Sequence, residues 1–356
     1  MSEYLSSHLK RSNTFNPDLS IVIPVYCSEG CLVALYNAIV EALTPTGLSH
    51  ELILVNDCST DQSWQVIKSL CKASPQVMGV DLRRNFGQDN AILTGIRLAC
   101  GKYIAIMDDD LQHHPKFLPA LVQKIEEGAD VVYANFPTKH QKLWKNVGSW
   151  INGKIAEWVL YKPKGIYLSP YKAICKDVAE SICCYAGPTP YIDGLLFQVT
   201  SKIAQVPAEH YPRFDGRSSF SFLQSVGVSA RLAFSFSVRP LRLISWCGFV
   251  FAVCGILLIA CIIGYRLLFP ELFTAEAVGW ASLMVAILFA WGLQMIFFGT
   301  LGEYTGRTYL VVTGKPQAAI REVVNGPDQS NPRAAKRFVD EVRVVSQSDL
   351  SKRPRL

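Results

Sequence analysis

Residues 106–115 read IMDDDLQHHP, and the fold follows from where the apolar run of this stretch stops. Tyr103, Ile104, Ala105, Ile106 and Met107 form a short apolar block of the kind buried in a parallel sheet. Three consecutive carboxylates, Asp108, Asp109 and Asp110, then stand at the carboxyl end of the strand, which is where open α/β sheets place their ligands. Successive strand side chains point to opposite faces, so Asp108 and Asp110 can converge on one point while Asp109 turns away. Two hard oxygen donors with open positions for water and phosphate suit Mg²⁺ or Mn²⁺ better than a closed structural cage. The alternative is a solvated acidic turn leading into a helix near Pro115.

Working outward, residues 19–134 alternate short apolar runs with helical patterns at a spacing of roughly 25 residues, the pattern of βαβ units in a parallel sheet. Strands are expected over Leu19–Val25, Leu52–Asn56, Val77–Leu82, Tyr103–Met107 and Asp130–Ala134. Helices are expected to begin near Glu29, Asp61, Gln88 and Pro115, with Ser59 or Thr60 capping the second. Neither GxGxxG nor GxxxxGK[ST] occurs, so dinucleotide and phosphate-loop readings lack support. Carboxylates stand at the strand ends instead: Glu29 after the first, Asp57 and Asp61 after the second, Asp108 and Asp110 after the fourth. The 11 cysteines are scattered and no CxxC occurs, which predicts buried free thiols rather than disulfides or zinc. A net charge of +6 and 50% hydrophobic residues fit a chain with a membrane segment, and no nucleic-acid partner is expected.

The stretches SIVIPVYCSEG, VNDCSTD, RRNFGQDNAILTGI and MDDDLQHHP, in this order and spacing, resemble the GT-A-fold inverting glycosyltransferases that make polyprenyl-phosphate sugars. Dolichyl-phosphate mannose synthase, bactoprenol glucosyltransferases and undecaprenyl-phosphate aminoarabinose transferase belong to that group. The resemblance covers residues 19 to about 325 and implies a Rossmann-like nucleotide-diphospho-sugar transferase domain. It assigns Pro24, Tyr26, Glu29 and Asp57 to the nucleoside, and Asp108, Asp110 and Gln112 to the metal and diphosphate. Arg213 and Ser218, with Gly216, match RxxGxS over the donor phosphates. Lys142, Lys145 and Ser149 lie toward the acceptor phosphate. Taken without the resemblance, Tyr26 and Glu29 could be an ordinary turn and helix start, and the lysines, Lys139 included, a solvated basic loop. The chain departs from the family at Asn56 for a first Asp, at Cys58 for a Gly, at Lys145 for an Arg and at Ser219 for a Lys.

The largest departure concerns catalysis: relatives carry a GDFRL-like stretch, and SPYKA at 169–173 puts Pro170 where that acid stands. Asp193 is the replacement candidate beside Asp110, with helix capping as its other reading. A phosphate monoester has a second pKa of about 6, so a lipid phosphate is itself a nucleophile at neutral pH and a strong base is dispensable. Stabilisation of the leaving diphosphate then becomes the main catalytic contribution.

No apolar leader opens the chain, so the amino-terminal domain is expected to be cytosolic. Residues 1–18 form an extension, 19–218 the catalytic domain, and 219–242 an interfacial amphipathic helix region. Leu243–Tyr265 holds 23 residues without a charge and Ala277–Gly302 holds 26, each beyond the roughly 20 that cross a bilayer. These predict a two-helix transmembrane hairpin, with packed core helices as the alternative. Basic flanks at Arg231, Arg239, Arg242, Arg307, Lys315 and Arg321 put both termini in the cytoplasm, and LGEYTGRTY at 301–309 again resembles the family. Residues 303–326 read as a juxtamembrane segment and 327–356 as a disordered basic tail in which 333–345 could form an amphipathic helix.

Together these predict an enzyme of the bacterial inner membrane that moves a sugar, UDP-linked, onto undecaprenyl phosphate for envelope glycan or lipopolysaccharide modification. The resemblance also implies a homo-oligomer, a tetramer. A membrane polysaccharide synthase is the competing reading, but QxxRW is absent. A non-catalytic membrane-anchored nucleotide-binding module is the third, and it leaves the metal carboxylates without a role.

Overall fold

The computed structural model describes residues 17–136, 165–187, 189–209, 239–268, 279–313 and 316–326. They fall into two compact units, one drawn from Met1–Ser221 and Thr313–Leu356, the other from Phe222–Val312.

The first unit is built on β1 (Leu19–Val25), β2 (His50–Asn56), β3 (Val77–Leu82) and β4 (Tyr103–Ile106), four strands buried almost throughout. Each is an apolar run covered on both faces, which is why the strands lack the alternation of a half-exposed sheet. The helices between them bury one stripe apiece. In α1 (Leu32–Leu43) that stripe is Leu32, Leu35, Ile39 and Leu43, the i, i+3, i+4 spacing of an amphipathic helix. In α2 (Ser63–Ala73) it includes Ile67, Leu70 and Cys71. Helix α3 (Gln88–Leu98) lies flush on the sheet, because a Cβ at Gly95 would come within 2.4 Å of Val22 Cγ1 and 3.2 Å of Val55 Cγ2.

After α4 (Leu118–Glu126) the chain adds β5 (Val131–Asn135), β6 (Lys172–Cys175), α5 (Lys176–Cys183), α6 (Ile192–Val199) and β7 (Ile203–Pro207). Two long helices, α7 (Arg239–Leu268) and α8 (Gly279–Val312), precede a last strand, β8 (Ile320–Val324). The sheet order is β7-β5-β6-β4-β1-β2-β3-β8. Strands β4, β1, β2 and β3 are parallel, whereas β6 runs antiparallel to both β4 and β5, and β8 antiparallel to β3. The expected all-parallel sheet is therefore mixed, with three strands that the sequence did not reveal. The chain steps from β1 to β2 and β3 in one direction and then to β4 on the other side of β1, so the topological switch point lies between β1 and β4.

Several local expectations are corrected. Strand β4 stops at Ile106, and Met107 is buried just beyond it. Neither Ser59 nor Thr60 caps α2: its cap position is Gln62, and the Asp61 carboxylate accepts from the Ser63 amide at 3.0 Å. All 11 cysteines are free, but only Cys31 and Cys71 are buried.

In the second unit, α7 and α8 are helices of 30 and 34 residues. Phe251 and Phe289 meet with ring centroids 6.0 Å apart, and Glu303 pairs with Arg307 one turn on at 2.6 Å. Trp246, Phe249, Phe251 and Leu257 on α7, and Leu283, Phe289, Trp291 and Ile296 on α8, are exposed. Among the described residues, however, no helix is long and apolar enough to cross a membrane, so the expected transmembrane hairpin is not supported. The charges of α8, Glu303 and Arg307, lie within the helix itself rather than beyond its end, as the juxtamembrane reading of 303–326 had placed them. The expected interfacial segment, apart from its last residues in α7, and the basic tail lie outside the described residues.

Candidate active site at the sheet switch point

The loops after β1 and β4 meet across the switch point. Asp109, in the loop beyond β4, accepts from the Tyr26 backbone amide at 3.3 Å. Burial pushes the Asp109 carboxyl up, against the Ser28 hydroxyl and the Tyr26 amide, which draw it down. Tyr26 itself is 52% exposed, a free aromatic face at the strand end. Asp108 Oδ1 accepts from the Gln88 side-chain amide at 2.7 Å, on the first turn of α3. Burial, with the Asp110 and Asp109 charges added, pushes the Asp108 carboxyl up to about 7. Asp110 accepts from the Gln112 backbone amide at 3.1 Å. Leu111 between them takes φ 57°, and the buried His113 ring, 5.0 Å from Phe136 and 6.0 Å from Tyr171, wedges this turn against the core.

Hard carboxylate oxygens at the end of a buried strand, with Asp108 raised by burial and by its neighbours' charge, fit a divalent cation. Among the described residues no group of three or more His, Cys, Asp or Glu side chains could hold a metal ion, so a protein cage is not formed. Asp108 and Asp110 supply two carboxylates, the number that leaves room for phosphate oxygens and water around Mg²⁺ or Mn²⁺.

The other expected nucleoside residues are engaged in shaping this crevice. Both oxygens of Asp57 are used, accepting from the Phe86 and Gly87 amides at 2.7 and 2.8 Å, which clamps the RRNFG loop onto the end of β2. Burial raises the Asp57 carboxyl, partly offset by those two bonds. Gly87, at φ 93°, starts α3. Glu29 accepts from the Gln62 amide at 2.6 Å, and Asp61 accepts from the Glu29 amide at 3.2 Å, so the loops after β1 and β2 cap one another. Pro24 is buried within β1. Lys142, Lys145, Ser149, Arg213 and Ser218 lie outside the described residues.

Asp193 stands in the first turn of α6, where it accepts from the Tyr133 hydroxyl at 2.9 Å and pairs with Lys172. Lys172 is 4% exposed and occupies the β6 position opposite Ile106, two residues before Asp108. The backbone of α6 is met instead by Asp89, whose carboxylate accepts from the Ile192 amide at 3.4 Å. Burial and the Asp193 charge push Asp89 up to about 6, against the Ile192 amide and Lys172. One buried ammonium thus sits among Asp193, Asp89 and Asp108. Lys172 and Asp89 were missed in the sequence; a lysine inside the apolar strand of SPYKAIC was the available signal.

A sheet with a carboxylate-lined switch point between β1 and β4 defines a GT-A, Rossmann-like α/β domain. A family profile described as glycosyl transferase family 2 matches residues 20–185. An uncharacterized glycosyltransferase of Synechocystis sp. is 31% identical over 84% of this chain and 93% of its own length. Undecaprenyl-phosphate 4-deoxy-4-formamido-L-arabinose transferases of Photorhabdus laumondii and Klebsiella pneumoniae are 31% and 30% identical over 88% of this chain, covering 96% and 95% of theirs. The chain belongs to glycosyl transferase family 2 and is a glycosyltransferase. Among solved structures, glucosyl-3-phosphoglycerate synthase of Mycobacterium tuberculosis, in complex with Mn²⁺, UDP-glucose and phosphoglyceric acid, is similar at 17% identity and TM-score 0.44, over 63% of this chain and 79% of that one.

Proposed function

We propose that the enzyme transfers a sugar, with inversion, from a UDP-linked donor to undecaprenyl phosphate at the cytosolic face of a bacterial inner membrane, yielding a lipid-linked sugar for envelope glycan or lipopolysaccharide modification. The observation that carries the reading is the run Asp108–Asp110 at the switch point, with Asp109 holding the loop that bears Tyr26. The aminoarabinose transferases among the relatives support the class of acceptor. Asp108, Asp110 and Gln112 would hold Mg²⁺ or Mn²⁺, which when bound supplies positive charge to the leaving diphosphate. Gln88 aims Asp108, and Asp109 fixes the β1 loop so that Tyr26 can lie against the nucleobase. Arg213 and Ser218 close over the donor phosphates, and Lys142, Lys145 and Ser149 draw in the acceptor phosphate.

Asp193 anchors Lys172 in this reading and does not act as a base. The acceptor dianion attacks unaided, so Asp193→Asn leaves kcat within about tenfold, short of the 10²–10⁴-fold of a general base. A larger loss in a folded variant that binds both substrates reverses the assignment. The uncharged runs of 23 and 26 residues and the exposed aromatic and aliphatic side chains of α7 and α8 support membrane association through these helices. Both termini then lie on the cytoplasmic side, as the basic flanks require. The domain boundaries drawn from the sequence and a tetrameric assembly belong to the same proposal. The test is incubation of membranes carrying the full chain with a panel of radiolabelled nucleotide sugars: label in the extracted lipid is expected, and label only in polymer selects the polysaccharide synthase.

A further inference from the structure

Strand β8 follows both long helices in sequence and nevertheless completes the catalytic sheet. Its register on β3 runs Val324 opposite Gly79, Val323 opposite Val80 and Glu322 opposite Asp81, then jumps to Ile320 opposite Leu82. Arg321 is the extra residue of that bulge, and a bulge re-aims the side chain it carries. The guanidinium turns to Asp81, with Nη1 at 3.1 Å from Oδ2, while Nη2 donates to the Arg83 carbonyl at 3.1 Å and approaches Cys58 Sγ at 3.9 Å. Asp81 is 1% exposed, so its charge requires a partner.

From Asp81 the contacts run to the crevice. Asp81 Oδ1 accepts from Asn56 Nδ2 at 2.7 Å. Asn56 Oδ1 accepts from the Ser59 amide at 3.3 Å, and Ser59 Oγ accepts from the Cys27 amide, next to Tyr26, at 3.0 Å. Between them Cys58 is held at φ 58°. This explains Asn56. A carboxylate there would face Asp81 across the β2–β3 pair, whereas an amide donates to Asp81 with one atom and accepts from the loop with the other.

We propose that Arg321 is a positioning residue for the donor nucleoside, setting the loop of residues 57–61 and the amide of Cys27 through Asp81 and Asn56. Part of the donor site is thus built by a segment outside residues 20–185, the stretch that matches the family. The inference rests on the reading that these strand ends bind a nucleoside diphosphate.

UDP, GDP and CDP are titrated calorimetrically into the full chain and into its Arg321→Ala, Arg321→Lys and Asp81→Asn/Arg321→Ala variants, with thermal stability measured on each. Arg321→Ala is expected to weaken the nucleotide that the parent binds best by about tenfold, and Arg321→Lys by less, since an ammonium keeps the charge but loses the fork. In an assay, the donor KM rises in step with kcat held within about twofold, the signature of lost ground-state binding. The double variant removes the buried charge and recovers stability while its affinity stays weakened. Unchanged affinity in Arg321→Ala, or affinity that returns with stability in the double variant, overturns the proposal. Absence of binding of any of the three nucleotides to the parent overturns the nucleoside-site reading itself.

Discussion

Two corners of the same sheet carry buried acids, and they are treated in opposite ways. At the end of β3, Asp81 is matched on one oxygen by Asn56 and faced on the other by Arg321. At the end of β4, Asp108 receives one amide from Gln88, and burial, with the Asp110 and Asp109 charges added, raises its carboxyl to about 7. A balanced acid holds loops together; an acid crowded by its own kind is in want of a cation. The contrast separates the scaffold of this enzyme from its chemistry, although a sequence shows both corners simply as aspartates in or just after apolar runs.

The largest effect should come from the crowded corner. Asp108→Asn or Asp110→Asn is expected to cut formation of lipid-linked sugar by at least about 10²–10³-fold, the size of losing one preorganised electrostatic contact to the leaving group, with the far-UV spectrum unchanged. Full turnover in either variant would erase the contrast.

Next is the Lys172–Asp193 pair beside the crowded corner. Lys172→Met strips the ammonium from the partly buried Asp193 and should cost about 3 kcal/mol in denaturant unfolding, more than any exposed ion pair. Lys68–Glu322 is such a pair, at 3.0 Å, and Lys68→Ala should cost no more than about 1 kcal/mol. Similar losses for the two would show that burial of Lys172 does not set its worth.

Asp89 adds a pH dependence to the same cluster. Its folded pKa, about 6, lies above that of an unfolded aspartate, so the folded chain holds the extra proton between them. Its contribution is complete below about pH 4 and lost as pH rises through 6, with a slope of at most about 1.4 kcal/mol per unit. Asp89→Asn should flatten that stretch of the stability curve; an unaltered slope would place the titration elsewhere.

The smallest effect concerns Cys58. At φ 58° an L-residue pays about 1–2 kcal/mol and glycine does not, though glycine loses about 0.5–1 kcal/mol of chain entropy. Cys58→Gly should therefore stabilise by up to about 1 kcal/mol in thermal unfolding. Destabilisation would mean that the thiol beside Arg321 matters more than the backbone.

The parallel core was legible because burial on both faces leaves uninterrupted apolar runs: β1 and β3 have the bounds that the sequence suggested. Strand β8 was not, since IREVV is half exposed, short and 238 residues or more from the strand it joins, as the Arg321–Arg83 bond shows. Glu29 and Asp57 were legible as acids at strand ends but not as loop clamps, because their partners are backbone amides, which every sequence carries alike. Lys172 was passed over because an ammonium in an apolar strand is explained only when β6 is known to run beside β4.

The late position of β8 also bears on how the protein is born. During synthesis β3 emerges with one edge bare, and its partner cannot arrive until both long helices have been made. An open strand edge is a template for the wrong neighbour. Closing it across so much intervening chain is a slow, non-local event. A chain cut short after Thr313 would carry both long helices complete and the apolar β3 as the outermost strand, so the half-exposed, charged β8 exchanges a bare apolar edge for a blunter one.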